Sequence, residues 1–163
     1  MLLYHGSNQA VRVPQILPVQ RKLDFGGGFY LTSNREQAAR WARSVALRRA
    51  EGSPLVSVYD FDISAATATG LRILKFTAPD GKWLDCVAAN RRGDNANATR
   101  GFDIVIGPVA NDATLPVIDD YLSGKYTRRE AIRRLLPQKL TDQYAFFTPR
   151  VLEVLSFLEC GDA

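Results

Sequence analysis

The only histidine of the chain, His5, stands in Leu2-Leu3-Tyr4-His5-Gly6-Ser7, close to the end of an apolar run. Further on, Gly26-Gly27-Gly28-Phe29-Tyr30-Leu31 leads into a segment that carries Trp41. An imidazole donates and accepts hydrogen bonds near neutral pH. Glycines grant positive φ and let the backbone approach a partner closely. Tyrosine and tryptophan offer flat faces on which a ring can stack. Each residue alone has an ordinary explanation: His5 as a half-buried strand end, Tyr30 as a strand aromatic, Trp41 as core. Their order and spacing together are what suggest a site.

Other chemistries find no footing. There is no GxxxxGK[ST] phosphate loop, and GxGxxG breaks because Leu31 stands where the third glycine belongs. Cys86 and Cys160 form no CxxC, and with one histidine there is no zinc constellation, so no metal is expected. Two buried or incidental thiols are the simplest reading of the cysteines.

The elements that must position these residues follow from periodicity and caps. Leu2 to His5 reads as a strand, residues 8–27 as loop, and Phe29 to Thr32 as a second strand. Ser33 or Asn34 caps a helix running to about Arg49, with Glu36 in the first turn where the dipole favours it. Ala38, Trp41, Ala42 and Val45 fall at i, i+3, i+4 and i+7, so they are expected on one face. Leu55 to Phe61, Leu71 to Phe76, Phe102 to Ile106 and Tyr144 to Phe147 read as strands. Lys82 to Asn90, Thr114 to Ser123 and Thr127 to Leu136 read as helices. Residues 91–101 read as a polar loop, and Val154 to Leu158 is open between strand and helix. Strands with interspersed helices, without regular βαβ spacing, indicate an α+β fold.

At 163 residues, with 46 % hydrophobic and 23 % charged side chains, the chain has the length and composition of one folded domain. No apolar run approaches a membrane span, and MLLYHGSNQ lacks the features of a signal peptide, so a cytoplasmic location, or export by another route, is expected. The net charge of +4 comes from arginines around 35–49, 91–100 and 128–134. Solvated helix faces or contact with nucleic acid or a pyrophosphate would both account for it.

His5-Gly6-Ser7 and Gly26-Gly27-Gly28-Phe29-Tyr30-Leu31, with an aromatic at Trp41 on the next helix, resemble the His-Tyr-Glu branch of the ADP-ribosyltransferases. That branch contains the poly(ADP-ribose) polymerases and the diphtheria-like toxins. Asp142-Gln143-Tyr144-Ala145-Phe146-Phe147 fills the place of the third family motif, with Gln143 where most active relatives carry Glu. The chain is also similar to a group of compact bacterial proteins with an LYHGS start, FGxGFYLT and a later D-I-V-x-G-P-V-A, here Asp103 to Ala110.

The resemblance implies a split antiparallel β-sheet core with flanking helices, one domain over residues 1–163, and NAD as the substrate that donates ADP-ribose. It implies a mono-ADP-ribosyltransferase, a glycosyltransferase acting as a bacterial toxin or effector on a protein or nucleic acid, with an antitoxin partner. It assigns His5, Tyr30 and Gln143 to catalysis and His5, Gly6, Ser7, Gly28, Tyr30 and Trp41 to the dinucleotide. Gly6 would clamp the carboxamide, His5 and Ser7 would meet the adenosine ribose, and Tyr30 and Trp41 would hold the nicotinamide ring. Arg12, Arg21 or Lys22 would meet the pyrophosphate. Gln keeps a carbonyl acceptor but cannot carry charge, so the alternative is a catalytically weakened module that binds NAD or ADP-ribose.

Overall fold

The computed structural model describes residues 1–17, 23–93 and 99–163. Two sheets share the work of the core. In the first, β1 (Leu2–Ser7) pairs antiparallel with β3 (Leu55–Phe61), and β7 (Leu155–Asp162) takes the other edge of β3. In the second the order is β2 (Phe29–Leu31), β6 (Asp142–Phe146), β5 (Ile104–Pro108) and β4 (Ile73–Lys75). All neighbours are antiparallel except β4 and β5. That parallel pair is bridged by α3 (Gly81–Arg92), one βαβ unit in an otherwise antiparallel arrangement. Of Val154 to Leu158, the residues from Leu155 on form strand, within β7, and Val154 lies in the turn before it.

Strand alternation explains the layering. The inner faces of both sheets enclose one apolar cluster, with Leu3, Tyr59 and Phe61 meeting Phe29, Ile104 and Phe146. The short helices α2 (Ile63–Ala68) and α6 (Pro149–Leu152) add Ala66 and Val151 to it. The outer face of the second sheet is covered by α3, α4 (Leu115–Leu122) and α5 (Arg128–Leu135). Trp83 of α3 is fully buried there, and its indole N–H donates to the Pro108 carbonyl at 2.9 Å. No helix among the described residues is long and apolar enough to cross a membrane.

The first sheet is covered by α1 (Arg35–Arg49), capped by Asn34, whose side chain accepts from the Gln37 N–H at 2.9 Å. Its buried face is Ala38, Ala39 and Ala42. Trp41, expected on that face, is instead 47 % exposed. The reason lies in β1. A Cβ on Gly6 would come within 2.0 Å of the Ala38 carbonyl oxygen. The helix backbone therefore rests directly on the strand, and only alanine-sized side chains fit beside it.

Among the described residues the two sheets meet at β1 and β2 through a single bridge. Tyr4 N–H donates to Thr32 O at 2.8 Å, and Thr32 N–H donates to Tyr4 O at 3.0 Å. Asp142 fixes the turn that follows, accepting from Ser33 N–H at 2.8 Å, Ser33 hydroxyl at 2.6 Å and Thr32 hydroxyl at 3.2 Å.

Candidate functional site

Beyond that bridge the strands part. In an antiparallel strand, N–H and C=O of one residue point to the same edge, and the edge alternates along the chain. Met1 bonds across to Phe61 of β3, whereas Tyr4 bonds to Thr32. Gly6 has the parity of Tyr4, so its N–H and C=O face the β2 side. The register of the bridge places Tyr30 opposite Gly6. No backbone hydrogen bond joins the two among the described residues. Instead the His5 ring reaches over, with Nδ1 2.8 Å from the Tyr30 carbonyl oxygen.

That contact sets the state of His5. A carbonyl only accepts, so Nδ1 carries the proton and Nε2 is left as an acceptor in the neutral ring. The ring lies 4.5 Å from that of Phe29. Burial lowers the pKa of His5 from its ordinary value, outweighing the opposite effect of the Tyr30 carbonyl, so the ring is neutral near pH 7.

Tyr30 stands on the outer face of β2. It lies opposite Ala145, so Tyr30, Ala145 and Gln143 share a face. The tyrosine hydroxyl donates to the Gly26 carbonyl at 2.6 Å and pins the glycine turn. Burial, and then the negative charge of Asp24, drive its pKa far above the ordinary range. Tyr30 is therefore a neutral platform and not a base.

Gln143 is buried, and its amide orientation is dictated by its neighbours. Nε2 donates to Asp24 Oδ2 at 3.0 Å and to the Pro108 carbonyl at 3.2 Å. Both partners only accept, so the nitrogen must face them and Oε1 must face away. Oε1 has no hydrogen-bond partner among the described residues, and it is not sealed from solvent.

Asp24 is the residue that sequence reasoning missed. Its buried carboxylate receives Arg91 Nη2 at 2.6 Å and Nε at 3.2 Å on Oδ1, and Ala110 N–H at 2.8 Å and Gln143 on Oδ2. Its own carbonyl accepts from Asn90 at 3.1 Å. The only signal in the sequence is an acid directly before Phe25 and the glycine triplet. Nothing local pairs it with Arg91, which lies at the end of α3 in a stretch that reads as loop.

The remaining expected site residues divide. Gly6 is bare because α1 rests on it, so its missing side chain serves packing; the residue is buried, and its edge toward Tyr30 makes no backbone hydrogen bond among the described residues. Gly28 is likewise bare for packing, since a Cβ would lie 2.7 Å from the Phe146 carbonyl oxygen and 2.9 Å from the Phe147 ring. Ser7 ends β1, half-buried, with no side-chain hydrogen bond among the described residues. Trp41 makes no ring contact with Tyr30, and Arg48 lies 5.0 Å above its ring. It lies one turn beyond Gln37, whose side chain meets Thr141 and Asp142, so Trp41 is on the flank of α1 turned to the second sheet. Arg12 stacks over Phe157 at 5.4 Å, and Arg21 and Lys22 lie outside the described residues. Cys86 and Cys160 are free thiols, and burial followed by the Asp24 charge pushes Cys86 up to about 12.

Fold and site together define an α+β protein with two mostly antiparallel sheets, joined at one bridge and parted beside a buried carboxylate hub. Residues 1–157 match the family described as "Protein of unknown function (DUF3990)", and the chain belongs to that family. No curated protein and no solved structure matches it.

Proposed function

We propose that the protein is an NAD-dependent mono-ADP-ribosyltransferase whose substrate lies along the parted edges of β1 and β2. The observation that carries this reading is the backbone edge of Gly6, buried but unpaired toward Tyr30 among the described residues, with Gln143 Oε1 on the neighbouring strand. A carboxamide needs one acceptor and one donor, and the Gly6 N–H and C=O supply both. The nicotinamide ring is cationic in NAD⁺ and would rest on Tyr30, with Trp41 on the facing flank of α1. Such contacts are worth roughly 0.5–2 kcal/mol each. His5 Nε2 is the acceptor left for a ribose hydroxyl, and Gln143 Oε1 would accept from the 2′-hydroxyl of the nicotinamide ribose.

In the reaction the bond between the ribose C1′ and the nicotinamide nitrogen breaks, with its electrons passing to the ring, which leaves neutral. The acceptor nucleophile bonds C1′ and gives up its proton. Gln143 steadies the sugar as positive charge develops. Asp24 acts through Gln143 and Arg91, as a positioning residue. The acceptor class, protein or nucleic acid, and a neutralising antitoxin partner belong to this proposal, together with action as a toxin or effector.

Nicotinamide release from NAD⁺ tests it. Gln143→Ala is expected to slow release on the order of 10²-fold while weakening NAD⁺ binding far less. Binding without release by the wild-type protein would instead support the second reading, a module that holds NAD or ADP-ribose, which the amide at position 143 favours. Absence of both binding and release would overturn the proposal.

A further inference from the structure

A cavity of about 440 Å³ lies at one end of the four-stranded sheet. Four chain segments meet there. Gly26 and Gly27 lead into β2, Thr148 follows β6, Asp103 precedes β5, and Arg72 precedes β4. Three guanidiniums line it, from Arg72, Arg100 and Arg150, against one carboxylate.

The carboxylate is already spent. Asp103 accepts from the Thr148 hydroxyl at 2.7 Å and from the Arg72 backbone N–H at 2.8 Å, with Arg150 Nε at 3.7 Å. Arg100 makes no hydrogen bond or ion pair with the described residues, and the Arg72 guanidinium lies over Phe102 at 5.3 Å without a carboxylate of its own. Gly101, at φ +85°, lets Arg72 lie close, since a Cβ there would sit 2.9 Å from Arg72 Nη1. The Gly27 and Gly101 backbone N–H groups have no partner among the described residues. Phe102 and Phe147 supply apolar wall. Excess guanidinium charge, backbone N–H groups without a partner among the described residues and room for more than a single ion form the donor set of a phosphate site.

We infer that this end-of-sheet cavity binds a phosphate or diphosphate group of a nucleotide-sized ligand, through Arg72, Arg100 and Arg150. The inference does not depend on the transferase reading, because binding of a phosphate requires no turnover. Two sources share this chemistry: the diphosphate of a dinucleotide that also occupies the Gly6 edge, or a separate phosphate-bearing molecule.

Calorimetric titration with inorganic pyrophosphate is the test. The wild-type protein is expected to bind it, with affinity falling as salt rises. Arg100→Ala and Arg72→Gln are each expected to weaken it by about tenfold, the loss of one charge-assisted contact. Arg100 has no hydrogen bond or ion pair with the described residues to lose, so its variant is expected to keep the wild-type melting temperature. Arg129→Ala, on α5 and not lining the cavity, is expected to leave binding unchanged. Repeating the titration in saturating NAD⁺ separates the sources. Competition assigns the site to the dinucleotide, and unchanged binding assigns it to a separate ligand. No pyrophosphate binding at low salt, or equal affinity in wild type, Arg100→Ala and Arg72→Gln, overturns the inference. Loss of pyrophosphate binding in these variants with nicotinamide release intact would separate this site from the proposed catalytic edge.

Discussion

Replacing Asp24 with Asn tests the hub on which the site rests. Four N–H contacts converge on its two oxygens, two from Arg91 and one each from Ala110 and Gln143. Asn keeps the shape but offers a single acceptor oxygen. If that oxygen stays with Arg91, the new NH₂ abuts the Ala110 N–H and the Gln143 NH₂, donor against donor. If it turns to them, the guanidinium loses its counter-charge while 23 % exposed. An unsatisfied buried group costs about 1–3 kcal/mol, and a buried pair broken on one side about 3–5 kcal/mol. The exposure of Arg91 discounts the second figure, so both arrangements come to roughly 3 kcal/mol. At about 2–4 °C per kcal/mol for a chain of this size, the melting temperature falls by about 6–12 °C. Urea titration gives the free energy directly. The same variant releases the Gln143 amide, so kcat for nicotinamide release is expected to drop more than KM rises. A change below about 1 kcal/mol would show that the carboxylate is not the organising charge, and the account of Gln143 orientation would fall with it.

Gln143→Glu places a second carboxylate 3 Å-scale from Asp24 and against the Pro108 carbonyl, so the variant is expected to be destabilised at pH 7 and to recover as pH falls and the new carboxyl takes a proton; equal stability at pH 7 and 5 would refute the contact. Gly6→Ala forces a Cβ to 2.0 Å from the Ala38 carbonyl oxygen and is expected to cost about 3 kcal/mol or more as α1 lifts, measurable as a lower urea midpoint. His5 has a lowered folded pKa, so its stabilisation is complete above the unfolded value near 6.5 and is lost as pH falls from there through the folded value. The difference in urea midpoint between wild type and His5→Asn should therefore shrink on acidification, and a constant difference from pH 7.5 to 5 would contradict it. Cys86, buried with its thiol pushed up to about 12, is expected to react with a thiol reagent only after unfolding, while the partly exposed Cys160 reacts in the native protein; two equally fast thiols would argue against the packing around Cys86.

Local signals carried much of the fold. Asn34 as a cap, the Thr127–Glu130 capping box and the apolar run at Val105 each act within a few residues, so the sequence displays them directly. The helix over Ile63–Ala68 escaped because ISAATA has no apolar period, and its one marker is the Asp62 cap. Trp41 was placed on the wrong face because helical spacing cannot know that a glycine on a neighbouring strand admits only alanines. In the site, the pairing of Tyr30 with the β6 face follows from alternation. The Asp24–Arg91–Gln143 hub does not, since its members are separated by 67 and 119 residues along the chain. Asp142, the first residue of the third motif, is consumed in holding the Ser33 turn.

The lone bridge between Tyr4 and Thr32 has a consequence for how the molecule would feel a bound partner. Past it, two strand edges run on without rungs, and the His5 ring props Tyr30 where a backbone amide would otherwise stand. A molecule that bonds both edges there would complete the missing rungs and turn two sheets into one continuous ladder. Its occupancy would be written in the slowest-exchanging amides of the seam, with Gly6 protected first and Tyr4 and Thr32 stiffened behind it. Ligand binding would thus act as a stitch, raising the mechanical resistance of the whole chain to being pulled apart at this edge.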